Sequence, residues 1–309
     1  MSRGLGVVKS IELSVLDPLK HRSRLSHKGD FGRVFIVAGS RGYAGAAHLA
    51  GLGALRSGAG LVTLGVPEKI YPVLARREME VMVRPFPSAA DGAFSSKALR
   101  PVLAFAAKQD VVAAGPGLSQ SPGTRRLVLG LAASWHKALV LDADGLNVLE
   151  GKPEVLRKRS FPAVLTPHTG EFVRLFGGPK PVSRDERIAR AVQAARLSGS
   201  IVLLKGAGTV VAAPDGRVFF NTTGNPGMAT GGTGDVLTGI IAAFLGQSMP
   251  PFDAARLGAY VHGLAGDLAA RKLGEISLIA GDVAAFLPEA FQKMLGRTST
   301  KNRIKKNGR

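Results

Sequence analysis

Asn221 to Gly239 reads N-T-T-G-N-P-G-M-A-T-G-G-T-G-D-V-L-T-G, and no other stretch constrains the fold as much. Its first part is punctuated by Gly224, Pro226, Gly227, Gly231, Gly232 and Gly234, then passes without a break into Asp235-Val-Leu-Thr-Gly-Ile-Ile-Ala-Ala-Phe-Leu. Val236, Leu237, Ile240, Ile241, Phe244 and Leu245 recur at helical spacing, which predicts a helix with one face on a core. A glycine loop feeding a helix N-terminus is an anion site, because free N–H groups converge there and no side chain blocks a phosphate. Asp235 stands at that point. It is either a helix cap favoured by the dipole or a base acting on the group that meets the phosphate.

Around this stretch, buried strands alternate with helices. Arg33 to Gly39 is an apolar run ending in glycine, followed by a Gly/Ala-rich helix from Ser40 to Gly60 whose small face can pack very close to a sheet, and by a strand from Leu61 to Val66. Asp110–Gly115, Ala138–Asp142, Ala163–Pro167 and Ile201–Lys205 read as further strands, with helices at 121–134 and 184–199 between them. Thr209–Ala213 and Val218–Asn221, joined by Pro214-Asp-Gly-Arg217, read as an antiparallel hairpin. The last long helix expected is Ala254 to Leu273. This alternation predicts an α/β fold, a mostly parallel central sheet covered by helices on both faces. The expected organisation is a polar lead-in over 1–25, one domain over 26–292 and a basic, disordered tail over 293–309.

The composition narrows the function. At 309 residues and 45% hydrophobic the chain builds a large core, and with no cysteine it has neither disulfides nor a thiolate metal site. No secretory signal or bilayer-length apolar run is seen, so a cytoplasmic protein without a membrane partner is expected. Of the net charge of +19, +7 lies in residues 293–309 and +4 in the first 33. Charge gathered at the ends, with aromatics at only 6%, argues against a dedicated nucleic-acid partner and is compatible with an anionic substrate.

Ligands of such sheets sit at strand ends, so the residues following each strand are the candidates. Lys205-Gly-Ala-Gly-Thr209 offers a cation and glycines to a nucleotide phosphate, or is an ordinary turn behind a surface lysine. His168 follows Thr166-Pro167, where the backbone is extended, and is aimed at a substrate or simply exposed. Glu171 could hold magnesium through water or serve as a helix N-terminal acid. Asp142 and Asp144 would face the same way on a continuing strand and bind a metal or a sugar hydroxyl, or else form a turn and cap. His48 and His262, set among Ala and Leu on helices, are read as packing residues.

Gly224–Gly239, His27–Gly32, Gly115–Leu118, Leu141–Asn147, Leu165–Glu171 and Lys205–Thr209, in this order over nearly all of residues 26–292, resemble the motifs of the ADP/ATP-dependent NAD(P)H-hydrate dehydratases, a branch of the ribokinase-like superfamily. The resemblance implies a ribokinase-like fold and a repair reaction: ADP or ATP phosphorylates the C6 hydroxyl of the S-epimer of hydrated NADH or NADPH, and phosphate leaves to restore the double bond. It implies that Lys205, Gly206, Ala207, Gly208, Thr209 and Gly234 hold the nucleotide, that Ala46, Gly117, His168 and Asp235 face the hydrate, and that Asp235 is the base. It implies Mg2+, here assigned to Glu171 although kinases of the superfamily have Asn-x-x-Glu where this chain has His168-x-x-Glu171. It also implies a homo-oligomer, a tetramer in relatives. Many relatives carry an N-terminal epimerase domain, which a 25-residue lead-in is too short to be, so epimerisation is expected from a separate protein or spontaneously. The alternative within the same fold is an ATP-dependent kinase of a vitamin-type alcohol, which stops at the phosphoester.

Overall fold

The computed structural model describes residues 7–8, 11–16, 19 and 22–306, with side chains described through residue 296 except at 7, 8 and 13. Its strands are β1 (Val7–Val8), β2 (Arg33–Val37), β3 (Leu61–Pro67), β4 (Met82–Phe86), β5 (Val111–Ala114), β6 (Ala138–Leu141), β7 (Val164–Leu165), β8 (Ile201–Leu204), β9 (Val210–Ala212) and β10 (Val218–Phe220). They form one sheet in the order β1-β10-β9-β8-β7-β6-β5-β2-β3-β4. All pairings are parallel except those of β9, which runs antiparallel to β8 and β10. The expected hairpin is therefore present, at one side of the parallel sheet.

The period-two alternation of each strand divides the core in two. Val34 and Ile36 of β2 face one cluster, Phe35 and Val37 the other. The first is covered by α1 (Ala44–Arg56), α8 (Thr233–Gly246), α9 (Pro251–Leu273) and α10 (Ala280–Lys306). The second is covered by α3 (Leu99–Ala106), α4 (Pro122–Ser134), α6 (Thr169–Phe176) and α7 (Arg184–Ser198). The short α2 (Tyr71–Arg77) and α5 (Asp144–Asn147) follow β3 and β6. From β2 the chain winds outward through β3 and β4, then returns to lay β5 on the other side of β2. That reversal leaves a crevice above the carboxyl ends of β2 and β5, the place where open α/β sheets bind ligands.

Helix α8 runs along the sheet face from the carboxyl end of β6, where Thr238 meets Asp142, to the start of β2, where Gly246 meets Gly32, and every residue from Val236 to Gly246 is buried. The sequence predicts one buried face; the helix is buried all round because α1, α9 and α10 close over the side away from the sheet. The contact with α1 is backbone to backbone. A Cβ on Gly53 would collide with the Val236 carbonyl, and one on Gly239 with the Ala50 carbonyl. The small face of α1 thus serves a helix as well as the sheet, where Gly51 meets Leu64.

Three expectations change. Within the lead-in, β1 pairs with β10 and Val15 and Leu16 are buried, so these residues belong to the folded body. A further long helix, α10, follows Leu273 and packs on α9. Met294 is in the core, two residues past the expected boundary at 292, and α10 continues as helix to Lys306 through most of the tail expected to be disordered; side chains beyond 296 lie outside the described ones. Among the described residues no helix is long and apolar enough to cross a membrane.

Candidate active site

The expected residues converge on the N-terminus of α8. Gly232 is the N-cap at φ +94°, so Thr233, Gly234 and Asp235 form the first turn with their N–H groups unpaired by helix bonds. A Cβ on Gly234 would lie 3.2 Å from Lys205 Nζ and 3.8 Å from Asp142 Oδ2. The missing side chain is thus what lets an ammonium stand beside the helix turn.

Lys205 directly follows β8 and is fixed there by backbone and side chain. Its N–H donates to Pro167 O at 2.8 Å, aligning it with His168 across the end of β7. Its Nζ donates to Asp142 Oδ1 at 2.7 Å and lies 3.9 Å from Glu171 Oε2. Burial pulls the lysine pKa down, but Asp142 and Glu171 outweigh it and the net shift is upward, so Lys205 is a permanent cation. Asp142 is 1% exposed and also accepts from Thr166 Oγ1 at 2.8 Å and Thr238 Oγ1 at 2.9 Å. It therefore anchors Lys205 and faces neither a sugar nor the same side as Asp144. Ala143 at φ +46° turns the chain between the two acids. Asp144 instead accepts from the Ser119 N–H and from Asn147 Nδ2, the turn-and-cap alternative.

Asp235 occupies the third position of α8. Among the described residues no group donates a hydrogen bond to its carboxylate, and no capping box forms, so a cap is not what it does in this structure. Burial first, then the nearby Asp142 and Glu171, push its carboxyl up to about 7 despite Lys205. An acid with that pKa beside a helix N-terminus is half ionised at neutral pH and suited to accept a proton.

His168 and Glu171 are a capping box at the start of α6. His168 Nδ1 accepts from the Gly170 and Glu171 N–H groups at 2.9 and 3.3 Å, and Glu171 Oε2 accepts from the His168 N–H at 2.8 Å. With Nδ1 accepting, a neutral His168 ring carries its proton on Nε2. Burial, Lys205 and Arg174 lower its pKa, which keeps it neutral. Burial raises that of Glu171.

The opposite rim is made of small residues. Gly117 sits at φ +61°, where a Cβ would lie 2.8 Å from Tyr43 Cβ and 3.0 Å from Ala46 Cβ, and its carbonyl accepts from Ser40 Oγ at 2.8 Å. Leu49, one helical turn beyond Ala46, is the residue a Cβ on Gly232 would strike. Ala46 and Gly117 are thus adjacent and border the same loop. In Lys205–Thr209, Thr209 Oγ1 donates to Gly206 O at 3.0 Å and closes the turn, with Gly206 and Ala207 exposed above it.

Several residues here were not found by sequence reasoning. Thr238 could have been, as a lone hydroxyl in an apolar helix three residues after Asp235. The loop is also tied down by α9: Asn221 Nδ2 donates to Ala259 O, Thr223 Oγ1 to Tyr260 O, and Asp267 accepts from the Gly224 N–H and Asn225 Nδ2. His262 Nε2 meets Thr233 O at 2.9 Å, and burial lowers its pKa to about 4, so it is a neutral donor supporting the first turn of α8. That extends the packing role expected of it. His48, read as a packing residue, instead shares a hydrogen bond with Glu78 Oε1 at 2.5 Å.

The family model described as NAD(P)H-hydrate dehydratase matches residues 34–288. The bifunctional NAD(P)H-hydrate repair enzyme Nnr of Moorella thermoacetica is 48% identical over 276 residues, 89% of this chain and 52% of that protein. The chain spans about half the length of the curated relatives it matches. The ADP/ATP-dependent NAD(P)H-hydrate dehydratase of Bacillus subtilis, co-crystallised with ATP and Mg2+, is 32% identical with a TM-score of 0.79, over 94% of this chain and 99% of that one. Ribokinase from Arabidopsis thaliana, at 13% identity, a TM-score of 0.52 and coverage of 83% and 98%, shares the fold alone. The chain has the ribokinase-like fold and belongs to the NAD(P)H-hydrate dehydratase family.

Proposed function

We propose that this chain uses ADP or ATP to dehydrate the S-epimer of hydrated NADH or NADPH, returning the intact cofactor. The observation that carries this reading is the unpaired carboxylate of Asp235, with a pKa of about 7, in the same first helical turn as Gly234, with the Lys205 ammonium standing beside that turn. The nucleotide lies over Lys205–Thr209 with its terminal phosphate toward Lys205, Gly234 and the first-turn N–H groups of α8. The hydrate enters between Ala46 and Gly117 on one rim and His168 on the other, bringing its C6 hydroxyl to Asp235. Asp235 accepts the hydroxyl proton as the oxygen takes the terminal phosphoryl group, releasing AMP from ADP, or ADP from ATP. The C6–O bond then breaks, the neighbouring carbon gives up a proton, and the products are phosphate and NADH or NADPH. Phosphorylation turns a poor leaving group into a good one.

Mg2+ fits this arrangement. Asp142, Glu171 and Asp235 are grouped around one ammonium, so the site is short of positive charge. Among the described residues no three acids or histidines are placed to form a direct cage, which suits an ion that keeps most of its waters. Glu171 would hold it through water, and the ion would neutralise phosphate charge. Support also comes from the Bacillus subtilis neighbour, whose crystals contained ATP and Mg2+.

The test is absorbance at 340 nm after mixing the protein, ADP or ATP, and magnesium with enzymatically prepared NADH hydrate. A rise that requires nucleotide and identifies the preferred donor is expected. A folded protein giving no rise with either nucleotide overturns the reading and points to the kinase alternative, checked with vitamin-type alcohols and ATP.

A further inference from the structure

Arg187 is a buried cation with no acid to balance it. It lies in the first turns of α7 and is 8% exposed. Its Nη2 donates to Leu204 O at 3.0 Å and Lys205 O at 3.1 Å, its Nη1 is 3.5 Å from Thr169 Oγ1, and its Nε is buried without a partner. Among the described residues it forms no ion pair, and burial alone lowers its pKa from the ordinary guanidinium value, leaving it charged. A buried charge met only by carbonyl dipoles is costly, and chains normally place an acid beside it.

The location gives the reason. A Cβ on Gly206, at φ +145°, would stand 3.0 Å from Arg187 Nη2, so the guanidinium lies directly under Lys205–Thr209. By drawing the Leu204 and Lys205 carbonyls down to itself, Arg187 fixes two successive peptide planes. The Lys205 N–H meets Pro167 O, the Gly206 N–H meets Thr209 Oγ1 at 3.3 Å, and the turn keeps its glycines facing outward. Through Thr169 it also touches the first residue of α6, next to the His168–Glu171 box.

We propose that Arg187 is a positioning residue for the nucleotide and the standing positive charge beneath its loop, balanced when a phosphate anion occupies Lys205–Thr209. The inference rests on the nucleotide site proposed above. It assigns a role to a residue that touches neither reacting group: the unbalanced guanidinium holds the loop in its receiving shape and draws a polyanion to it. A purely structural arginine would instead be needed for the fold whether or not nucleotide is present.

Three full-length variants separate the two roles: Arg187→Met, Arg187→Gln, which keeps amide donors without the charge, and Arg187→Lys, which keeps the charge. Each is melted with and without ADP and ATP, and assayed at 340 nm for kcat and for the KM of nucleotide and hydrate. We expect Arg187→Met and Arg187→Gln to raise the nucleotide KM about tenfold or more and to lose most of the nucleotide-induced rise in melting temperature. Their melting without nucleotide should be unchanged or higher, kcat should fall less than KM rises, and Arg187→Lys should fall between them and wild type. Arg187→Gln binding nucleotide as wild type does, or matching Arg187→Lys, overturns the charge role. If Arg187→Met does not fold, the Gln and Lys pair decides. A wild-type chain whose melting responds to neither nucleotide overturns the nucleotide site itself, and this inference with it.

Discussion

The two rims of the site are built on opposite principles. On the β8 side, Lys205, Asp142, Glu171 and His168 hold one another by charge and hydrogen bonds, which with burial shift the pKa values of Lys205, Glu171 and His168. On the β2–β5 side, Ala46 and Gly117 meet with almost no side chain, and the shape comes from backbone and a positive φ. The first rim stores electrostatic energy where charge will change hands; the second only leaves room. Changes on the charged rim should therefore alter chemistry and stability together, whereas changes on the small rim should alter which molecule fits.

The sharpest break of this comparison is at Asp235, in the first turn of α8 and within the field of the charged rim. Asp235→Asn should lower kcat by about 10³-fold, read at 340 nm with saturating nucleotide. It should also stabilise the protein without nucleotide. The folded carboxyl titrates near 7 against an ordinary 3.8, so the folded state binds more protons than the unfolded one between these values, and stability falls as pH rises through that window. Asparagine has no such loss, so at pH 8 the variant should melt higher by about 2 °C or more, by calorimetry. A lower melting temperature would mean that Asp235 is a structural carboxylate after all.

Lys205→Met comes next. It should cut kcat/KM for the nucleotide about 100-fold and destabilise the fold by about 3 kcal/mol in denaturant titration, since Asp142 would be left buried without its cation. On the other rim, Ala46→Leu should raise the hydrate KM about 30-fold while the nucleotide KM stays within about threefold. If Ala46→Leu weakens nucleotide binding instead, the two rims are not separable. The smallest effect is pH: with Asp235 required as the anion, kcat/KM for the hydrate should be about tenfold lower at pH 6 than on the plateau above pH 8.

What could be read from the sequence follows the same division. The parallel core was legible because β2, β5, β6 and β8 are continuous apolar runs, and the glycine loop announced α8. β1 and β4 were not: one is two residues long at a sheet edge, and the other carries Pro85 and exposed residues, which do not alternate cleanly. α10 escaped notice with Pro288 inside it. Candidate residues at strand ends were found because topology alone puts ligands there. The Lys205–Asp142 pair was not foreseeable, because its members are 63 positions apart and each has a sufficient local explanation. Arg187 was hidden more thoroughly, since an arginine on an amphipathic helix reads as solvent-facing.

The glycine crossing of α1 and α8 has a consequence for how the proposed site would measure a substrate. Ala46 rides on one helix and Asp235 on the other, and at Gly53 and Gly239 the two backbones touch with no side chain between them. Side-chain layers give a little; two main chains in contact do not. The helices therefore behave as the jaws of a locked caliper, and a fluctuation that shifts one carries the other with it. With Ala46 and Asp235 facing the hydrate as proposed, such a gauge would accept or refuse a molecule by its thickness, without closing around it.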